Sequence, residues 1–253
     1  MNIALVQSHI IWENKDKNIA VLEQVITDNP DVDAFFLPEM SFTGFSMNTS
    51  VTTDRNRETQ NQMRKIALDH NVCLGFGWVR PAGEKCSNVY SVIDKEGNVV
   101  SEFNKIHPFS FSGEDRYFTG GDTVSVFDLC GIPFSTFICY DLRFPESFRK
   151  VCDKVHAIVI PANWPAKRSE HWKTLLRARA IENQVYIFAV NCVGDINGVS
   201  YSGDSCVVNP NGDVLEILSG KEGIVKYSFS DDAEQFRKAF PVLKDRKSIF
   251  SFS

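Results

Sequence analysis

The sequence predicts an α/β fold, a four-layer α-β-β-α sandwich in which two stacked mixed sheets carry helices on their outer faces. Three observations predict it. Short apolar segments typical of buried strands alternate with amphipathic helical segments, which is the pattern of α/β layered folds. Hairpin-like segments are inserted into this alternation, so each sheet should contain antiparallel as well as parallel pairs. About a dozen strands are predicted, more than one twisted open sheet comfortably holds, which favours two packed sheets.

The individual elements follow one another closely along the chain. Residues 15–28 are predicted to form a helix because Ile19, Leu22 and Ile26 share one face. No Pro/Gly/Ser-rich linker or repeat interrupts the pattern, so we expect a single domain over residues 1–253. The predicted helices are residues 15–28, 58–70 and 169–183, and the predicted strands are residues 3–6, 34–37, 72–79, 88–94, 98–103, 132–138, 157–160 and 185–190, with a late hairpin of residues 204–209 and 213–218 around Asn211-Gly212.

The composition excludes several classes of function. The chain is 43% hydrophobic and 23% charged, so it can bury a full core. Its net charge of −5 gives no electrostatic reason to expect nucleic acid or an anionic membrane as a partner. No run of 18 apolar residues predicts a membrane span, and the N-terminus lacks the pattern of a signal peptide. We therefore expect a cytoplasmic protein.

The seven cysteines indicate neither a metal site nor a disulfide framework. Their number is odd, and no two of them form a C-x-x-C pair. Structural zinc and a network of disulfides are both disfavoured by this spacing. Cys73, Cys192 and Cys206 lie in strand-like runs and are expected to be packed in the core.

Cys139 occupies the most informative position in the chain. It follows the apolar run of residues 132–138 and precedes Pro145-Glu146. The run predicts a buried strand and Pro145-Glu146 a helix start, which places Cys139 on a sharp strand-to-helix turn. A helix dipole at that turn is expected to favour the thiolate, so the thiol is a candidate nucleophile. The alternative is a small buried apolar side chain, the commoner role of an internal cysteine.

Two charged residues follow predicted strands upstream of this cysteine. Glu39 comes directly after the strand of residues 34–37, at the rim of the core, where a carboxylate can act as a general base. Lys105 follows the strand of residues 98–103, and an ammonium there can stabilise an oxyanion together with the backbone N–H of Tyr140. For Glu39 or Lys105 alone, a solvated surface position is the alternative.

The three candidate residues resemble, in type and in order along the chain, the catalytic Glu–Lys–Cys set of the nitrilase superfamily of carbon–nitrogen hydrolases. Glu39 comes first, Lys105 second and Cys139 third. Each further matching segment is weak evidence alone, but their ordered combination identifies the superfamily. The further matches are Ile3-Ala4-Leu5-Val6-Gln7, Leu37-Pro38-Glu39, Gly113-Glu114, Gly120-Gly121-Asp122, Ile138-Cys139-Tyr140-Asp141-Leu142-Arg143-Phe144-Pro145-Glu146, Ala162-Asn163-Trp164-Pro165, Arg177-Ala178-Arg179-Ala180-Ile181-Glu182-Asn183 and Gly203-Asp204-Ser205.

The resemblance is most specific to the omega-amidase branch, which acts on 2-oxo-acid amides such as 2-oxoglutaramate and 2-oxosuccinamate. The segments around Glu39, Glu114 and Asn163 carry this similarity. It implies a thiol amidase that forms a cysteine thioester, releases ammonia and needs no metal or organic cofactor. It also implies that Glu114 is a second catalytic glutamate near the lysine. The alternative for Glu114 is an exposed carboxylate paired with Arg116.

A 2-oxo-acid amide carries a carboxylate at its far end, so the substrate pocket should contain a cation. Arg143 is the best candidate, because a guanidinium binds a carboxylate through two hydrogen bonds. A structural ion pair with Asp141 or Glu146 is the alternative. Lys167 and Arg168 are weaker candidates and are expected to be solvated.

Aromatic side chains are candidates for the walls of this pocket. Trp164 and Phe42 lie near the predicted reactive loops, although large apolar residues also suit the core. His107 is next to the candidate lysine and is a weaker candidate for a base. His171 is expected to cap or pair at a helix start.

Other functions remain as alternatives at this stage. An aliphatic amidase or an N-carbamoyl amidohydrolase would use the same triad with a different pocket. A binding or scaffold module on the same fold would be expected to lose the triad, which is intact here. A papain-type enzyme would require a Cys–His pair with an orienting asparagine, and no matching signature surrounds His156 or His171.

The expected partners are a small-molecule amide and further copies of the chain. The family resemblance implies a homodimer or a higher homo-oligomer. The tail from about residue 231 to residue 253 is too apolar to extend into water, so we expect it to dock on its own or a neighbouring subunit. Deleting residues 240–253 should therefore destabilise the fold or break the oligomer.

Overall fold

Thirteen strands and seven α-helices form the described part of the chain, residues 1–247 of a computed structural model. The strands are β1 (Asn2–Gln7), β2 (Ala34–Phe36), β3 (Cys73–Ala82), β4 (Lys85–Ile93), β5 (Val99–Asn104), β6 (Phe127–Leu129), β7 (Ile132–Thr136), β8 (Ala157–Ala162), β9 (Tyr186–Asn191), β10 (Val193–Ile196), β11 (Val199–Val208), β12 (Val214–Ser219) and β13 (Gly223–Ser228). The helices are α1 (Lys15–Thr27), α2 (Thr49–Thr52), α3 (Glu58–His70), α4 (Glu114–Tyr117), α5 (Pro145–Arg149), α6 (Ser169–Asn183) and α7 (Ala233–Ala239). Short 3-10 turns span Ser110–Ser112, Cys139–Arg143, Ala166–Arg168 and Val242–Asp245.

These strands form two mixed sheets. The first has six strands in the order β13-β1-β2-β3-β4-β5, and the second has seven in the order β10-β11-β9-β8-β7-β6, with β12 paired to β11. The pairs β1–β2 and β2–β3 are parallel, as are β7–β8 and β8–β9, whereas the outer pairs are antiparallel. The predicted fold of two stacked mixed sheets with helices is confirmed.

Alternating side chains of β1 show how the layers are built. Ile3 and Leu5 point into the core between the sheets, while Ala4 and Val6 join the core under the helices of the first sheet. This alternation follows from the two-residue period of a strand. Because both faces of β1 are covered, the strand is apolar on both sides, as expected of a central strand in a layered fold.

Two sets of helices close the outer faces. On the first sheet, α1 and α3 contribute Leu22 and Met63 to a common apolar cluster. On the second sheet, α6 packs Trp172 and Leu176 against β9 and β11. The predicted helix of residues 58–70 is reproduced residue for residue.

The segment after β7 differs from the sequence-based prediction. The strand ends at Thr136, although residues 137–138 continue in an extended path. The helix expected after Cys139 is replaced by the 3-10 turn Cys139–Arg143, and α5 follows with only five residues. A strong helix dipole is therefore absent from this turn, with consequences for the thiol described below.

The beginning of the C-terminal tail packs on the body of the protein. Ala233 is buried and Phe236 packs against the core between the sheets, while Phe240 is 70% exposed. Gln184 donates a hydrogen bond to the carbonyl of Phe240 at 2.6 Å. The remaining apolar tail residues, Ile249, Phe250 and Phe252, lie outside the described residues. Docking of the whole tail therefore stays a prediction.

None of the helices within residues 1–247 combines the length and apolar character needed to cross a bilayer. The cytoplasmic location expected from the sequence stays a prediction.

Candidate active site

Four strand ends meet between the two sheets and bring reactive groups together. Glu39 follows β2 and Lys105 follows β5 in the first sheet, while Cys139 follows β7 and Asn163 follows β8 in the second. Glu114 joins them from the first turn of α4. The structure thus places in one site the four residues that the sequence singled out as candidates, together with Asn163.

Glu39 is fixed by a loop that closes tightly over β3. The hydroxyl of Ser41 accepts a hydrogen bond from the backbone N–H of Gly77 at 2.8 Å, and the N–H of Ser41 donates to the carbonyl of Gly77 at 3.0 Å. A Cβ atom at Gly77 would lie 2.3 Å from the backbone nitrogen of Met40. Only glycine permits this close approach, which holds the glutamate against the sheet.

Lys105 lies between two buried carboxylates. Its Nζ is 2.7 Å from Oε1 of Glu39, and 2.9 Å and 3.2 Å from the two oxygens of Glu114. Asn88 donates from Nδ2 to Oε1 of both carboxylates, at 2.8 and 3.0 Å. The N–H of Phe109 donates to the remaining oxygen of Glu114 at 2.5 Å. The alternative of an exposed Glu114 paired with Arg116 is thus wrong, because Glu114 is fully enclosed.

The two carboxylates keep the lysine charged. Burial alone would lower the pKa of Lys105, but Glu114 and Glu39 outweigh it and raise the pKa above its usual value. Burial raises the pKa of Glu114, and Lys105 opposes this effect. The site therefore contains a permanent ammonium held by two acceptors, ready to stabilise negative charge that develops on a substrate.

Cys139 sits on a strained elbow. Its φ angle is +46°, a left-handed conformation that is uncommon for residues other than glycine. The buried carboxylate of Asp141 holds the turn by accepting hydrogen bonds from the N–H groups of Ile138 at 3.0 Å and His107 at 2.9 Å. His107 Nδ1 is a further 2.7 Å from Asp141, and its ring stacks on Phe144 with centroids 3.8 Å apart. His107 thus supports the elbow rather than the reacting atoms.

The expectation of a favoured thiolate at this elbow is wrong. Burial, and then the nearby negative charge of Glu39, raise the pKa of Cys139 well above that of an ordinary thiol. Lys105 acts in the opposite direction but does not compensate. The resting cysteine is a neutral thiol next to a carboxylate, so its proton must be removed as it attacks.

Asn163 is a site residue whose role sequence reasoning missed. Its backbone N–H donates to Oε2 of Glu39 at 3.0 Å, and its side-chain Nδ2 donates to the carbonyl of Glu39 at 2.6 Å. The thiol of Cys192 donates to Oδ1 of Asn163 at 3.3 Å. Asn163 therefore connects the second sheet to the glutamate of the first. Its place in the matching segment Asn163-Trp164-Pro165 was the only signal in the sequence.

A pocket of about 210 Å³ opens above Cys139. Its walls are rich in aromatic side chains, with Phe45, Phe109, Tyr140, Trp164 and Tyr201 among the lining residues. Tyr140 is held by Phe109, whose ring centroid lies 4.8 Å away. A pocket of this kind suits a small molecule with a few polar groups.

Three cations line the pocket besides the catalytic lysine. Arg143 stacks on Trp164, Arg168 stacks on Phe109, and Lys167 lies beside them. Within residues 1–247 none of the three pairs with a carboxylate, and besides its contact with Trp164 the guanidinium of Arg143 lies 3.3 Å from Nδ1 of His171. Burial and the charge of Arg168 lower the pKa of Arg143. The alternative ion pair of Arg143 with Asp141 or Glu146 is not formed. Lys167 and Arg168 both line the pocket; Lys167 is exposed to solvent, as expected, and Arg168 is partly buried.

Phe42 does not line the pocket, contrary to the sequence-based prediction. It is 2% exposed and packs on Phe76 in the core beneath the helices of the first sheet. The chain turns at Gly44, whose φ is +71°, and brings Phe45 to the pocket instead. The prediction found the right loop but the wrong aromatic residue, because the turn reverses which side chain faces inward. Trp164 both lines the pocket and is largely buried.

The fold and the site define a carbon–nitrogen hydrolase. The family of that description matches residues 2–238, so the chain belongs to it. Within the nitrilase superfamily it belongs to the omega-amidase branch, and it is a hydrolase that acts on amides.

Two curated relatives support this assignment over nearly the whole chain. A 2-oxoglutaramate amidase from Bacillus subtilis (strain 168) is 35% identical over 98% of this chain and 98% of its own. Omega-amidase YafV from Escherichia coli (strain K12) is 32% identical over 97% of this chain and 96% of its own. Among solved structures, the CN-hydrolase superfamily protein XC1258 from Xanthomonas campestris, which carries an arsenic adduct in its active site, superimposes with a TM-score of 0.93 at 28% identity, covering 100% of this chain and 99% of that one.

Proposed function

We propose that this amidase hydrolyses the terminal amide of a small 2-oxo acid, of the 2-oxoglutaramate or 2-oxosuccinamate type, through a thioester on Cys139. The observation that carries the proposal is a Glu–Lys–Cys site beneath a pocket lined by cations without carboxylate partners among residues 1–247. One curated relative is named a 2-oxoglutaramate amidase and another an omega-amidase, which supports this class of substrate.

The first half of the reaction begins with proton removal. Glu39 takes the proton of the Cys139 thiol as sulfur attacks the amide carbon, and the carbonyl oxygen becomes an oxyanion. Lys105 and the backbone N–H of Tyr140 receive this charge. The N–H groups at the start of a helical turn have no acceptor within it, so Tyr140 suits this role. Each such donor typically contributes about 3 kcal/mol to the transition state.

The leaving group is handled by the same glutamate. The protonated Glu39 gives its proton to the amide nitrogen as the C–N bond breaks, and ammonia leaves. A thioester remains on Cys139. An amide is a poor electrophile, and a covalent intermediate replaces its one difficult hydrolysis step by two easier ones.

Water completes the cycle. Glu39 takes a proton from a water molecule as its oxygen attacks the thioester carbon. The C–S bond then breaks, the acid is released, and the proton on Glu39 returns to the sulfur of Cys139. Throughout, Asn163 holds Glu39 in position from the second sheet.

The far end of the substrate lies among the cations. Arg143 and Arg168 present guanidinium groups that can each bind a carboxylate through paired hydrogen bonds. Stacking on Trp164 and Phe109 limits the motion of both groups. An amide without a carboxylate would leave these charges desolvated and unpaired, which disfavours its binding.

The experiment is a measurement of ammonia release from a panel of amides, with Cys139→Ala as the control. The panel contains 2-oxoglutaramate, 2-oxosuccinamate, glutamine, asparagine, propionamide and an N-carbamoyl amino acid. We expect turnover of the two oxo-acid amides to exceed the others, and to vanish in the variant. If the enzyme prefers propionamide or the N-carbamoyl compound, the proposed catalytic triad stands but the proposed substrate class is wrong. Activity that survives Cys139→Ala would overturn the mechanism.

A further inference from the structure

The segment Gly203-Asp204-Ser205 has no part in the chemistry above, yet its aspartate is almost completely enclosed. Asp204 is 2% exposed and adopts a left-handed conformation with φ at +59°. It lies at an irregularity of β11, where the register with β12 shifts between Gly203 and Ser205. A bulge of this kind turns one side chain away from the regular alternation of the strand.

The carboxylate of Asp204 collects hydroxyl groups from three segments. It accepts hydrogen bonds from Ser169 at 2.7 Å, from Ser202 at 2.6 Å and from Ser219 at 2.5 Å. The ammonium of Lys173 lies 3.7 Å away. We call Asp204 with these three serines the aspartate clamp. All of its donors point at one buried negative charge.

The clamp acts on the start of α6. Ser169 and Lys173 belong to the first turns of this helix, and the indole of Trp172 donates to the backbone carbonyl of Asp204 at 2.9 Å. A carboxylate at this end also interacts favourably with the helix dipole. Three contacts, from Ser169, Trp172 and Lys173, therefore tie the N-terminus of α6 to β11.

The residues just before α6 carry the cations of the pocket. Lys167 and Arg168 immediately precede Ser169, and both line the pocket. The carbonyl of Arg168 accepts a hydrogen bond from the indole of Trp164 at 2.8 Å. Their backbone is thus fixed at one end by the wall of the pocket and at the other by the clamp.

The clamp is anionic under ordinary conditions. Burial tends to raise the pKa of Asp204, but the hydroxyls of Ser202, Ser219 and Ser169 and the charge of Lys173 outweigh it and lower the pKa. Neutralising the side chain would therefore weaken its hydrogen bonds to all three serines and its attraction to Lys173 at once.

We propose that Asp204 is a positioning residue for anion recognition: through Ser169 and the first turn of α6 it holds Lys167 and Arg168 at the pocket above Cys139. The inference rests on the proposed binding of a substrate carboxylate by these cations. Asp204 itself does not line the pocket, so its effect is on binding rather than on the reacting groups.

The test uses two small alkylating reagents that differ in charge. Iodoacetate is an anion and iodoacetamide is neutral, and both alkylate the thiol of Cys139. The ratio of their rates at Cys139, followed by mass spectrometry of its peptide and normalised to glutathione, reports how well the pocket attracts an anion. This ratio needs no knowledge of the substrate.

The variants are Asp204→Asn, which keeps the shape and removes the charge, and Asp195→Asn on neighbouring β10 as a matched control with an exposed side chain. We expect Asp204→Asn to lower the iodoacetate preference by about tenfold, since displacements of positioning groups by about 1 Å cost up to about a hundredfold. The iodoacetamide rate should stay near that of the wild type. KM for 2-oxoglutaramate should rise in parallel with little change in kcat.

A second pair of variants separates positioning from stability. Ser169→Ala and Ser219→Ala each remove one hydroxyl from the clamp, but only Ser169 belongs to α6. Positioning predicts that Ser169→Ala lowers the iodoacetate preference and Ser219→Ala has a smaller effect, even where their melting temperatures fall equally. This pair also serves if Asp204→Asn fails to fold.

The outcomes distinguish this inference from the proposed function. If the ratio of the iodoacetate rate to the iodoacetamide rate is unchanged in Asp204→Asn, or changes equally in the two serine variants, the positioning role of Asp204 is wrong. The proposed function would not be affected by either result. A wild-type protein without preference for iodoacetate and without turnover of 2-oxoglutaramate would overturn the proposed function, and the inference with it.

Discussion

The Nζ of Lys105 and the Oε1 of Glu39 lie 2.7 Å apart, with both side chains almost completely enclosed. The proposed oxyanion donor and the proposed base are therefore in direct contact. When Glu39 takes the thiol proton it loses its charge, and a buried ammonium would be left without a counter-ion. Glu114 lies 2.9 Å from the same nitrogen and offers it a second carboxylate. In the proposed mechanism this second glutamate serves as the counter-ion of Lys105 while Glu39 is neutral.

Replacing Glu114 by glutamine should reduce kcat by about a hundredfold to a thousandfold, because Lys105 loses a charged partner that holds it in place and its effect as an oxyanion donor is of that size. Glutamine keeps the shape but leaves Lys105 with one charged partner. The measurement is kcat with the best amide of the panel. Glu102→Gln is the matched control, because Glu102 lies on β5 outside the pocket and pairs with Arg57 and Arg80. A kcat for Glu114→Gln within about twofold of this control would contradict the role of Glu114.

Alkylation of Cys139 should require alkaline pH. Its raised pKa means that thiolate forms only above the ordinary thiol range of about 8.5. The rate with iodoacetamide should therefore still rise between pH 8 and pH 10, whereas glutathione levels off earlier. Mass spectrometry of the peptide separates Cys139 from the exposed Cys130. A rate that is already constant below pH 7 would show a preformed thiolate and contradict the proposed proton transfer to Glu39.

Arg143→Gln should raise KM for 2-oxoglutaramate by roughly tenfold to a hundredfold, because a hydrogen-bonded charge is lost from the carboxylate. The value of kcat/KM for propionamide should change little. Arg55→Gln, an exposed arginine outside the pocket, is the control. Equal losses of kcat/KM for 2-oxoglutaramate and propionamide would indicate that Arg143 maintains the shape of the pocket and does not bind the carboxylate.

The start of the C-terminal tail should contribute to stability through Arg237. Its guanidinium donates to the carbonyls of Cys152 at 2.8 Å, Val155 at 2.6 Å and Gln184 at 3.2 Å. Arg237→Ala should lower the free energy of unfolding by about 1–3 kcal/mol, since buried acceptors lose their donor. The exposed neighbour variant Lys238→Ala should stay within about 0.5 kcal/mol of the wild type. Equal denaturation midpoints for both variants would show that α7 is not held by these contacts.

The sequence predicted those site residues that directly follow an apolar strand. Glu39 and Cys139 each come after a run whose burial is evident from its composition. The contacts among the charged groups could not be predicted in this way. Asn88 lies in the middle of β4, and nothing in its neighbours indicates that pairing with β3 and β5 brings it between Glu39 and Glu114.

Local rules also failed where burial or a tight turn decides the outcome. The dipole argument predicted a thiolate at Cys139, but the turn is short and desolvation dominates. Phe42 was predicted to line the pocket because of its loop, but the left-handed turn at Gly44 exchanges it for Phe45. Lys167 and Arg168 were not expected at the pocket, and the hydrogen bond that joins the neighbouring Ser169 to Asp204 involves residues too far apart in sequence to be predicted locally.

In the proposed mechanism Cys139 carries the acyl group during turnover. The direct measurement is the intact mass of the protein, quenched in acid within milliseconds of mixing with excess 2-oxoglutaramate, followed by mapping of the modified peptide. We expect an added mass equal to the substrate minus ammonia, located on the peptide of Cys139 and absent from Cys139→Ala. Ammonia release at full rate without any adduct on Cys139, or with an adduct on another residue, would contradict it.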